Sequence, residues 1–399
     1  MIKRELYLSK IRGFYFQNDL IKIITGMRRS GKSILLTQIM NELRDSGISD
    51  DHIIYINFED FDFADIKEAR QLDEYLKSKI IDDETHYIFL DEIQSVNEFE
   101  KVVNSYRSKG KSSIFITGSN SRLLAGEFST LLSGRYVSFL VMPFSFSEMF
   151  EYVGGDFRDR FDIFDKYREW GGMPQLYNMQ NEAEYRPYLE DLFGSIVLRD
   201  ITTRYNLKDE DLLRRILQFV IENIGHIFSA NSIAKYLKSE NIGVSPNTLY
   251  SYLDKIESSM MLNRVSRYDI RGKKVIQFYE KFFLTDLGLA QLKKSSIEKS
   301  IGGRLENIAY NNLLAHGYKI YIGEINNKEI DFIAENSDGL TYIQVADTLS
   351  DINVLEREFG ALEEIGDNYS KLVLSLDRTD HSRNGIKHEN IVDWLLRDL

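Results

Sequence analysis

The sequence contains no cysteine, which excludes disulfide bonds and metal sites built from thiolates. No apolar run approaches the roughly 18 residues that a membrane-spanning helix needs, and the first residues, from Ile2 to Leu6, are charged from the start. Internal repeats, low-complexity segments, zinc-ligand spacings and a Ser-His-Asp arrangement are also missing. We therefore expect a cytoplasmic protein without a membrane partner.

Basic residues are fewer than acidic residues in this sequence. The chain has 50 Lys and Arg residues against 62 Asp and Glu residues, which gives a net charge of −12. This balance argues against a protein coated with non-specific DNA-binding charge, so any contact with nucleic acid has to come from a local patch. The length of 399 residues and the 43% apolar content allow packed cores in roughly two to four domains.

A glycine-rich stretch with the sequence GMRRSGKS occupies Gly26–Ser33, between the apolar run Ile21–Thr25 and the helical pattern Ile34–Met40. It fits the phosphate-binding loop G-x-x-x-x-G-K-[ST], in which backbone N–H groups and a helix amino terminus surround a phosphate. Lys32 is expected to reach the β- and γ-phosphates, and Ser33 to hold Mg²⁺. The predicted nucleotide contacts are Gly26, Met27, Arg28, Arg29, Ser30, Gly31, Lys32, Ser33 and Ile34.

Two further apolar runs end in polar residues. Tyr87–Leu90 leads into Asp91 and Glu92, which predicts a buried strand that delivers one carboxylate to Mg²⁺ and a second that polarises an attacking water. Ser113–Thr117 is followed by Asn120, an amide that either orients that water or caps the helix predicted to begin at Ser121. Strands alternating with helices predict an α/β fold with a parallel sheet.

These features resemble the AAA-type P-loop ATPases, in which Asn120 stands at the position called sensor 1. The resemblance implies an arginine that acts on the nucleotide of a neighbouring subunit, and Arg135 stands at that place, with Arg122 as the alternative. It therefore implies a homo-oligomeric ring, or at least a dimer, with shared active sites. An exposed structural role for Arg135 is the other interpretation. After this core at 1–150, a helical lid is expected at 151–207.

The segment 208–296 resembles a winged helix, with three short helices followed by a hairpin around Arg271-Gly272. Residues 264–281 hold six basic side chains against two acidic ones, which predicts the local patch that the overall charge hides. A winged helix used only for protein packing is the alternative. The candidate DNA contacts are Asn247, Tyr250, Ser251, Lys255, Arg271, Lys273 and Lys274.

The last segment, 297–399, resembles the core of restriction-endonuclease-like nucleases, where carboxylates bind Mg²⁺ and a lysine assists the attacking water. Glu306 and Asp331 match the pattern, but Gln344 replaces an acid and Ala346 replaces the lysine. We therefore expect a degenerate, inactive nuclease fold, unless a lysine from elsewhere, such as Lys328, restores activity.

The order of these segments is similar to a widespread archaeal and bacterial family of AAA-type ATPases with a C-terminal domain of unassigned function. The resemblance implies an oligomeric ATPase that uses ATP and Mg²⁺, with Glu92, Asn120, Arg135 and Lys32 in catalysis and Ser33 and Asp91 on the metal. We expect it to bind and act on DNA, including branched DNA. The alternatives are a nucleotide-dependent switch that recruits a protein partner and an ATP-regulated nuclease.

Overall fold

The structure is a computed structural model that describes residues 2–120, 132, 134–272, 274–293 and 301–397. It divides into two compact units, the first made of 1–142 with 258–260 and the second of 143–257 with 261–399. Arg122 and Lys273 lie outside the described residues, as do residues 294–300 and most of the helix predicted to begin at Ser121.

The first unit is built on a parallel sheet with the strand order β2-β3-β4-β1-β5. Its strands are β1 (Ile21–Thr25), β2 (Ile53–Asn57), β3 (His86–Asp91), β4 (Ser112–Gly118) and β5 (Tyr136–Leu140). β1, β3 and β4 are buried along their whole length, as the continuous apolar runs of the sequence predict for strands covered on both faces. The expected α/β class with a parallel sheet is confirmed.

Helices pack on both faces of this sheet and bury one stripe of apolar side chains each. Leu35, Leu36 and Ile39 of the second helix, for example, are fully buried against one face. The helices of this unit are α1 (Glu5–Ile11), α2 (Lys32–Asp45), α3 (Ala69–Lys79) and α4 (Phe99–Ser108). α3 begins at Ala69, where the side chains of Glu68 and Gln71 form a capping box.

The second unit begins with helices. They are α5 (Phe146–Tyr152), α6 (Arg160–Trp170), α7 (Tyr185–Ser195), α8 (Glu210–Glu222), α9 (Ala230–Ser239) and α10 (Pro246–Ser258), and α7 continues into a π-helical segment over Ile196–Thr203. Further along the chain lie α11 (Ile301–Ala315), α12 (Ile352–Glu363) and α13 (Ile391–Leu395). Each described helix is too short or too polar to cross a lipid bilayer.

A mixed sheet forms the core of the second unit, with the strand order β13-β12-β11-β10-β9-β7-β8-β6. Its strands are β6 (Ile227–Phe228), β7 (Leu262–Asp269), β8 (Lys274–Leu284), β9 (Lys319–Ile325), β10 (Lys328–Asn336), β11 (Gly339–Val345), β12 (Ser370–Ser375) and β13 (Lys387–Asn390). β7 and β8 form the expected antiparallel hairpin, and β10 pairs with β11 in antiparallel fashion.

The sheet is continuous across residue 296, where the sequence places a boundary between two domains. β7 pairs in parallel with β9, so that Arg267 lies opposite Ile322 and Tyr268 opposite Gly323. Phe283 of β8 stacks on Tyr310 of α11, with ring centroids 4.4 Å apart. The hairpin and the C-terminal strands therefore share one hydrophobic core.

The Gly171-Gly172 pair ends α6 and allows a close approach to a buried carboxylate. Asp286 accepts hydrogen bonds from the backbone N–H of Gly172 at 2.7 Å and of Gly288 at 2.9 Å. A Cβ atom on Gly172 would lie 2.1 Å from the carbonyl oxygen of Phe144, so only glycine fits. Burial raises the pKa of Asp286 to about 7, against the two backbone donors, which lower it.

Candidate functional site

The phosphate loop has the geometry that its sequence predicts. Gly31 adopts φ +100° immediately before α2, in the left-handed region that favours glycine, and α2 begins at Lys32. A Cβ atom on Gly26 would lie 2.2 Å from the carbonyl oxygen of Val141, so the loop passes too close to its neighbour for any side chain there. The first N–H groups of α2 have no partner within the helix, which makes its amino terminus an anion site.

Lys32 and Ser30 face inward from this loop. Lys32 is buried, and its Nζ atom donates to the carbonyl oxygens of Gly26 at 3.1 Å and Met27 at 3.3 Å. The Oγ atom of Ser30 is buried and has no hydrogen-bond partner among the described residues. The hydroxyl of Ser30 and the ammonium of Lys32, which donates to carbonyl oxygens of its own loop, are groups that a bound phosphate would satisfy. The lack of space for a side chain at Gly26 fits a backbone loop that closes around such a phosphate.

The remaining residues of the phosphate loop differ in burial and in the groups that they can present to a nucleotide. Met27 is fully buried, Arg29 is exposed with φ 64°, and the guanidinium of Arg28 pairs with Glu59 at 2.9 Å. Ser33 and Ile34 are exposed at the start of α2. A hydroxyl oxygen at Ser33 and a carboxylate oxygen at Asp91 are suitable ligands for Mg²⁺, which would supply charge neutralisation of the phosphates when bound.

Asp91 is fully buried at the end of β3 and is held by two hydroxyl groups. Thr117 of β4 donates to its Oδ1 atom, and Tyr55 of β2 donates to its Oδ2 atom at 3.1 Å. The same Thr117 hydroxyl accepts a hydrogen bond from the backbone N–H of Glu92 at 2.9 Å. Thr117 therefore fixes both acidic residues, a role that the sequence analysis missed because it depends on strand register.

Glu92 follows in a left-handed conformation, with φ 55°, which turns its side chain toward the phosphate loop. Its Oε1 atom lies 3.3 Å from Lys32 Nζ, and its Oε2 atom accepts a hydrogen bond from the Gln94 side chain. Burial opposes ionisation, but the charges of Lys32 and Arg28 and the bond from Gln94 outweigh it and lower the pKa of Glu92. At neutral pH Glu92 is a carboxylate that can accept a hydrogen bond from water.

Asn120 and Arg135 lie at opposite edges of the sheet. Asn120 is buried just after β4, and Gly118 at the end of β4 pairs with Thr25, so Asn120 lies at the same edge as the phosphate loop. Arg135 is exposed, and its carbonyl oxygen accepts a hydrogen bond from the N–H of Ile21, the first residue of β1. The length of β1, about 16 Å, separates that edge from the chain's own phosphate loop.

Arg4 is a further residue that the sequence analysis missed. It is buried beneath the phosphate loop, where its guanidinium donates to the carbonyl oxygens of Ser30 at 3.0 Å and Met142 at 2.9 Å. Its backbone N–H donates to Gln38 of α2 at 3.0 Å. Arg4 thus stabilises the phosphate loop through hydrogen bonds. No motif in the sequence indicates this role.

In the basic strip, residues 264–281, several positive side chains are paired with acidic residues or buried, so fewer of them can contact a phosphate than the composition suggests. Arg264 pairs with Asp254 and Glu257, both at 2.8 Å, and Arg267 pairs with Glu324 at 2.6 Å. Lys281 is buried. The candidate DNA contacts Arg271 and Lys274 are exposed, while Lys273 lies outside the described residues.

The predicted recognition helix, α10, presents a mixed surface. Asn247 and Ser251 are exposed, Tyr250 is half-buried, and Lys255 donates to the Ser251 hydroxyl at 3.0 Å. Asp254 is exposed on the same helix. The polar side chains suit hydrogen bonding in a groove, but the helix carries no excess of positive charge.

Lys281 lies among the carboxylates that the sequence analysis compared with a nuclease centre. Its Nζ atom is 2.8 Å from Glu306, 2.5 Å from Glu329 and 3.4 Å from Asp331, and the side chain is 2% exposed. Lys328, the lysine considered in the sequence analysis, pairs instead with Glu364 at 2.7 Å. A lysine therefore joins Glu306 and Asp331, but it comes from β8, which the sequence analysis counted in the basic strip.

Gln344 suits this cluster better than an acid would. Its Oε1 atom accepts a hydrogen bond from the backbone N–H of Asp331 at 2.7 Å, and its Nε2 atom donates to Glu358 at 3.0 Å. A carboxylate at this position would place another negative charge against Glu358. Asp331 in turn accepts from the N–H of Val345 at 2.9 Å.

The charges of the cluster decide what it can bind. Burial opposes the charged form of Lys281, but Asp331, Glu306 and Glu329 outweigh it and raise the pKa of its ammonium. Burial and the neighbouring carboxylate of Asp331 raise the pKa of Glu306 in spite of Lys281. The ammonium lies between the carboxylates, where a bound cation would lie, so Mg²⁺ does not fit this arrangement unless Lys281 is displaced.

Replacing Thr117 by valine should disturb the nucleotide site while preserving the fold. The substitution keeps the side-chain shape but leaves the Glu92 N–H without its acceptor and Asp91 without one of its donors. For the ATP hydrolysis that the sequence predicts, we expect kcat to fall about 10- to 100-fold, with ATP binding retained in a fluorescent-nucleotide titration. The matched variant Thr117→Ser should restore the rate, and a valine variant as active as the natural protein would contradict the positioning role.

Removing the ammonium of Lys281 should create a site for divalent cations. In Lys281→Ala, Ca²⁺ or Mn²⁺ can bind the oxygen atoms that lose their counter-ion, and binding to the folded state should raise the melting temperature by several degrees. The natural protein and the control Lys328→Ala should show no such dependence in thermal denaturation with and without the cation. Equal cation effects in all three proteins would contradict the assignment.

Family models match two parts of the chain. A model described as "AAA domain" matches residues 18–150, and a model described as a domain of unknown function (DUF8612) matches residues 161–298. Among solved structures, the chain is similar to the Aeropyrum pernix ORC1 protein in complex with DNA, at 12% identity and a TM-score of 0.35, over 73% of this chain and 91% of that one. It is also similar to AMPPCP-bound DnaA from Aquifex aeolicus, at 16% identity and a TM-score of 0.31, over 63% and 85% of the respective chains.

Two relatives match over most of their length. An uncharacterized protein of Haemophilus influenzae is 36% identical over 100% of this chain and 99% of its own. An uncharacterized protein of Methanocaldococcus jannaschii is 31% identical over 86% of this chain and 78% of its own. The chain therefore belongs to the same family as these two proteins, and its residues 18–150 form a P-loop AAA-type ATPase domain.

Proposed function

We propose that this protein hydrolyses ATP at the phosphate loop. The arrangement of Lys32, Glu92, Asp91 and Thr117 carries this proposal, because it brings a phosphate-binding ammonium within 3.3 Å of a carboxylate at the end of the neighbouring β3–β4 pair. Lys32 and the loop amides hold the phosphates, and Ser33 and Asp91 hold Mg²⁺. Glu92 accepts the proton of the attacking water, which Asn120 orients.

The hydrolytic site is completed by a second copy of the chain. Arg135 is exposed at the edge of the sheet remote from its own phosphate loop, so it can reach a phosphate only on a neighbouring subunit. A homo-oligomer with shared sites follows, and a ring is the closed form of such a head-to-tail contact. Arg122 remains the alternative residue for this role.

Substitutions in the proposed ATPase site should impair either ATP binding or ATP hydrolysis. Glu92→Gln should bind ATP normally but hydrolyse it at least about 100-fold more slowly, whereas Lys32→Ala should lose ATP binding. Arg135→Ala should also hydrolyse slowly, and mixing it with Lys32→Ala should restore part of the rate, because the mixed interface joins an intact loop to an intact arginine. Phosphate release measures each rate. A mixture no more active than its components would contradict a role in trans, and the same experiment with Arg122→Ala tests the alternative.

We further propose that the second unit binds DNA, through a winged helix at 208–296 together with the nuclease-like segment at 297–399. The fold of three helices followed by the β7–β8 hairpin supports it, with the exposed Arg271 and Lys274 at the tip of the hairpin. The ion pairs of Arg264 and Arg267 restrict the electrostatic contact to that tip. Duplex or branched DNA would therefore be held by few phosphate contacts and by the polar face of α10.

A second function, a nucleotide-dependent switch that recruits a protein, is favoured by a different observation. Arg264 and Arg267 are neutralised within the protein, and α10 has acidic as well as basic side chains. Such a mixed, neutral surface is typical of a protein interface more than of a phosphate-binding one. The buried Lys281 argues against the third alternative, an ATP-regulated nuclease.

Charge reversal at the hairpin tip separates the two candidates. Arg271→Glu with Lys274→Glu should weaken binding to duplex and four-way-junction DNA at least about tenfold and reduce the salt slope by about one for each lost phosphate contact. Lys208→Glu, which reverses an exposed lysine outside the strip, is the matched control. Fluorescence anisotropy at several salt concentrations measures both effects. Binding that is unchanged, or absent in the natural protein, would favour the protein-recruiting switch.

A further inference from the structure

Two histidines meet at the edge of the first unit's sheet that lies opposite Asp91. His52 ends a 3₁₀ turn directly before β2, and His86 is the first residue of β3. Because β2 and β3 are parallel neighbours, with Ile53 opposite Tyr87, the two imidazole rings lie side by side with centroids 4.9 Å apart. His86 is buried, whereas His52 is half-buried.

Acidic residues of the loop before β3 complete the group. The Nε2 atom of His52 lies 3.0 Å and 3.3 Å from the two carboxylate oxygens of Asp82, and 3.7 Å from Oε2 of Glu84. One ligand atom each from His52, Asp82 and His86 lie within 4.8 Å of one another. Asp82 itself is oriented by the backbone N–H of Glu84 at 2.9 Å, and this bond is the largest cause that lowers its pKa.

The hydrogen bonds of His86 decide which nitrogen is available. Its Nδ1 atom lies 3.0 Å from the carbonyl oxygen of Glu84, which can only accept, so Nδ1 carries the proton and Nε2 keeps its lone pair. Nε2 receives only a long contact of 3.4 Å from the N–H of Ile81. Metal-binding histidines adopt this arrangement, in which one ring nitrogen donates to a backbone carbonyl and the other offers its lone pair.

We propose that His52, Asp82 and His86 bind a divalent transition-metal ion of the Zn²⁺ class, with Glu84 able to supply a fourth ligand. Two imidazoles and a carboxylate are a donor set that Zn²⁺ prefers and that Mg²⁺, which takes oxygen ligands, does not. In a tetrahedral site with bonds of about 2 Å the ligand atoms lie about 3.3 Å apart. The distances from His52 to both acids are already close to that value.

The position of the site points to a stabilising role that is independent of ATP chemistry. The ion would join the start of β2 to the start of β3 and to the loop at 80–85, so it would secure an edge strand of the sheet. The sequence gives no sign of it, because His52 and His86 are brought together only by the parallel register of two strands that are distant in the chain.

The test uses the full chain without a histidine tag, stripped of metal with a chelator and then titrated with Zn²⁺. We expect one Zn²⁺ per chain, a raised melting temperature, and with Co²⁺ the visible absorption bands of a four-coordinate ion. His52→Gln and Asp82→Asn change residues that are not fully buried, and each should weaken Zn²⁺ binding at least about tenfold. Fluorescent-nucleotide binding by each variant shows that the first unit is folded.

The matched control is His381→Gln, which removes a half-buried histidine from another pair of neighbouring histidines, with the His388 ring at a centroid distance of 5.2 Å. It should bind Zn²⁺ like the natural protein. Failure of the natural chain to take up Zn²⁺ would overturn the proposal. So would variants at His52 and Asp82 that bind as tightly as the natural protein, or a loss of binding in His381→Gln alone.

Discussion

Parallel hydrogen bonding between β3, β4 and β1 is the constraint on which the nucleotide site depends. It places the carboxyl ends of the three strands side by side, so that the phosphate loop, the acidic pair Asp91-Glu92 and Asn120 share one edge of the sheet. The hydroxyl of Thr117 then converts this proximity into a fixed geometry, because it contacts Asp91 and Glu92 at once. A shift of register by one residue would turn Thr117 to the other face and release both acids.

The carboxylates around Lys281 depend on a balance between burial and charge. Several buried carboxylates would repel one another, and a single ammonium at their centre removes much of that cost. In the nuclease pattern that the sequence suggests for this segment, a metal ion would supply such a positive charge. In this structure Lys281 supplies it, in contact with Glu306, Glu329 and Asp331.

The sequence predicts the features that depend on neighbours along the chain, but it does not predict contacts between residues that are far apart in sequence. The phosphate loop, the strand that ends at Asp91 and the β7–β8 hairpin depend on neighbours along the chain, and the sequence predicts each of them, although β8 continues farther, to Leu284. The roles of Thr117, Arg4 and Lys281 depend on partners far away in sequence, so composition alone misled: Lys281 was counted as surface charge although it is buried. The ion pairs of Arg264 and Arg267 were unpredictable for the same reason.

The pairing of β7 with β9 makes the folding of the hairpin depend on the C-terminal strands. A hairpin separated from the residues after 300 would present an unpaired strand edge and the bare face of Phe283, and such edges associate with other chains. A cut of the chain near residue 296 would therefore leave neither part with a complete sheet. The hairpin and the C-terminal strands consequently depend on each other for their stability.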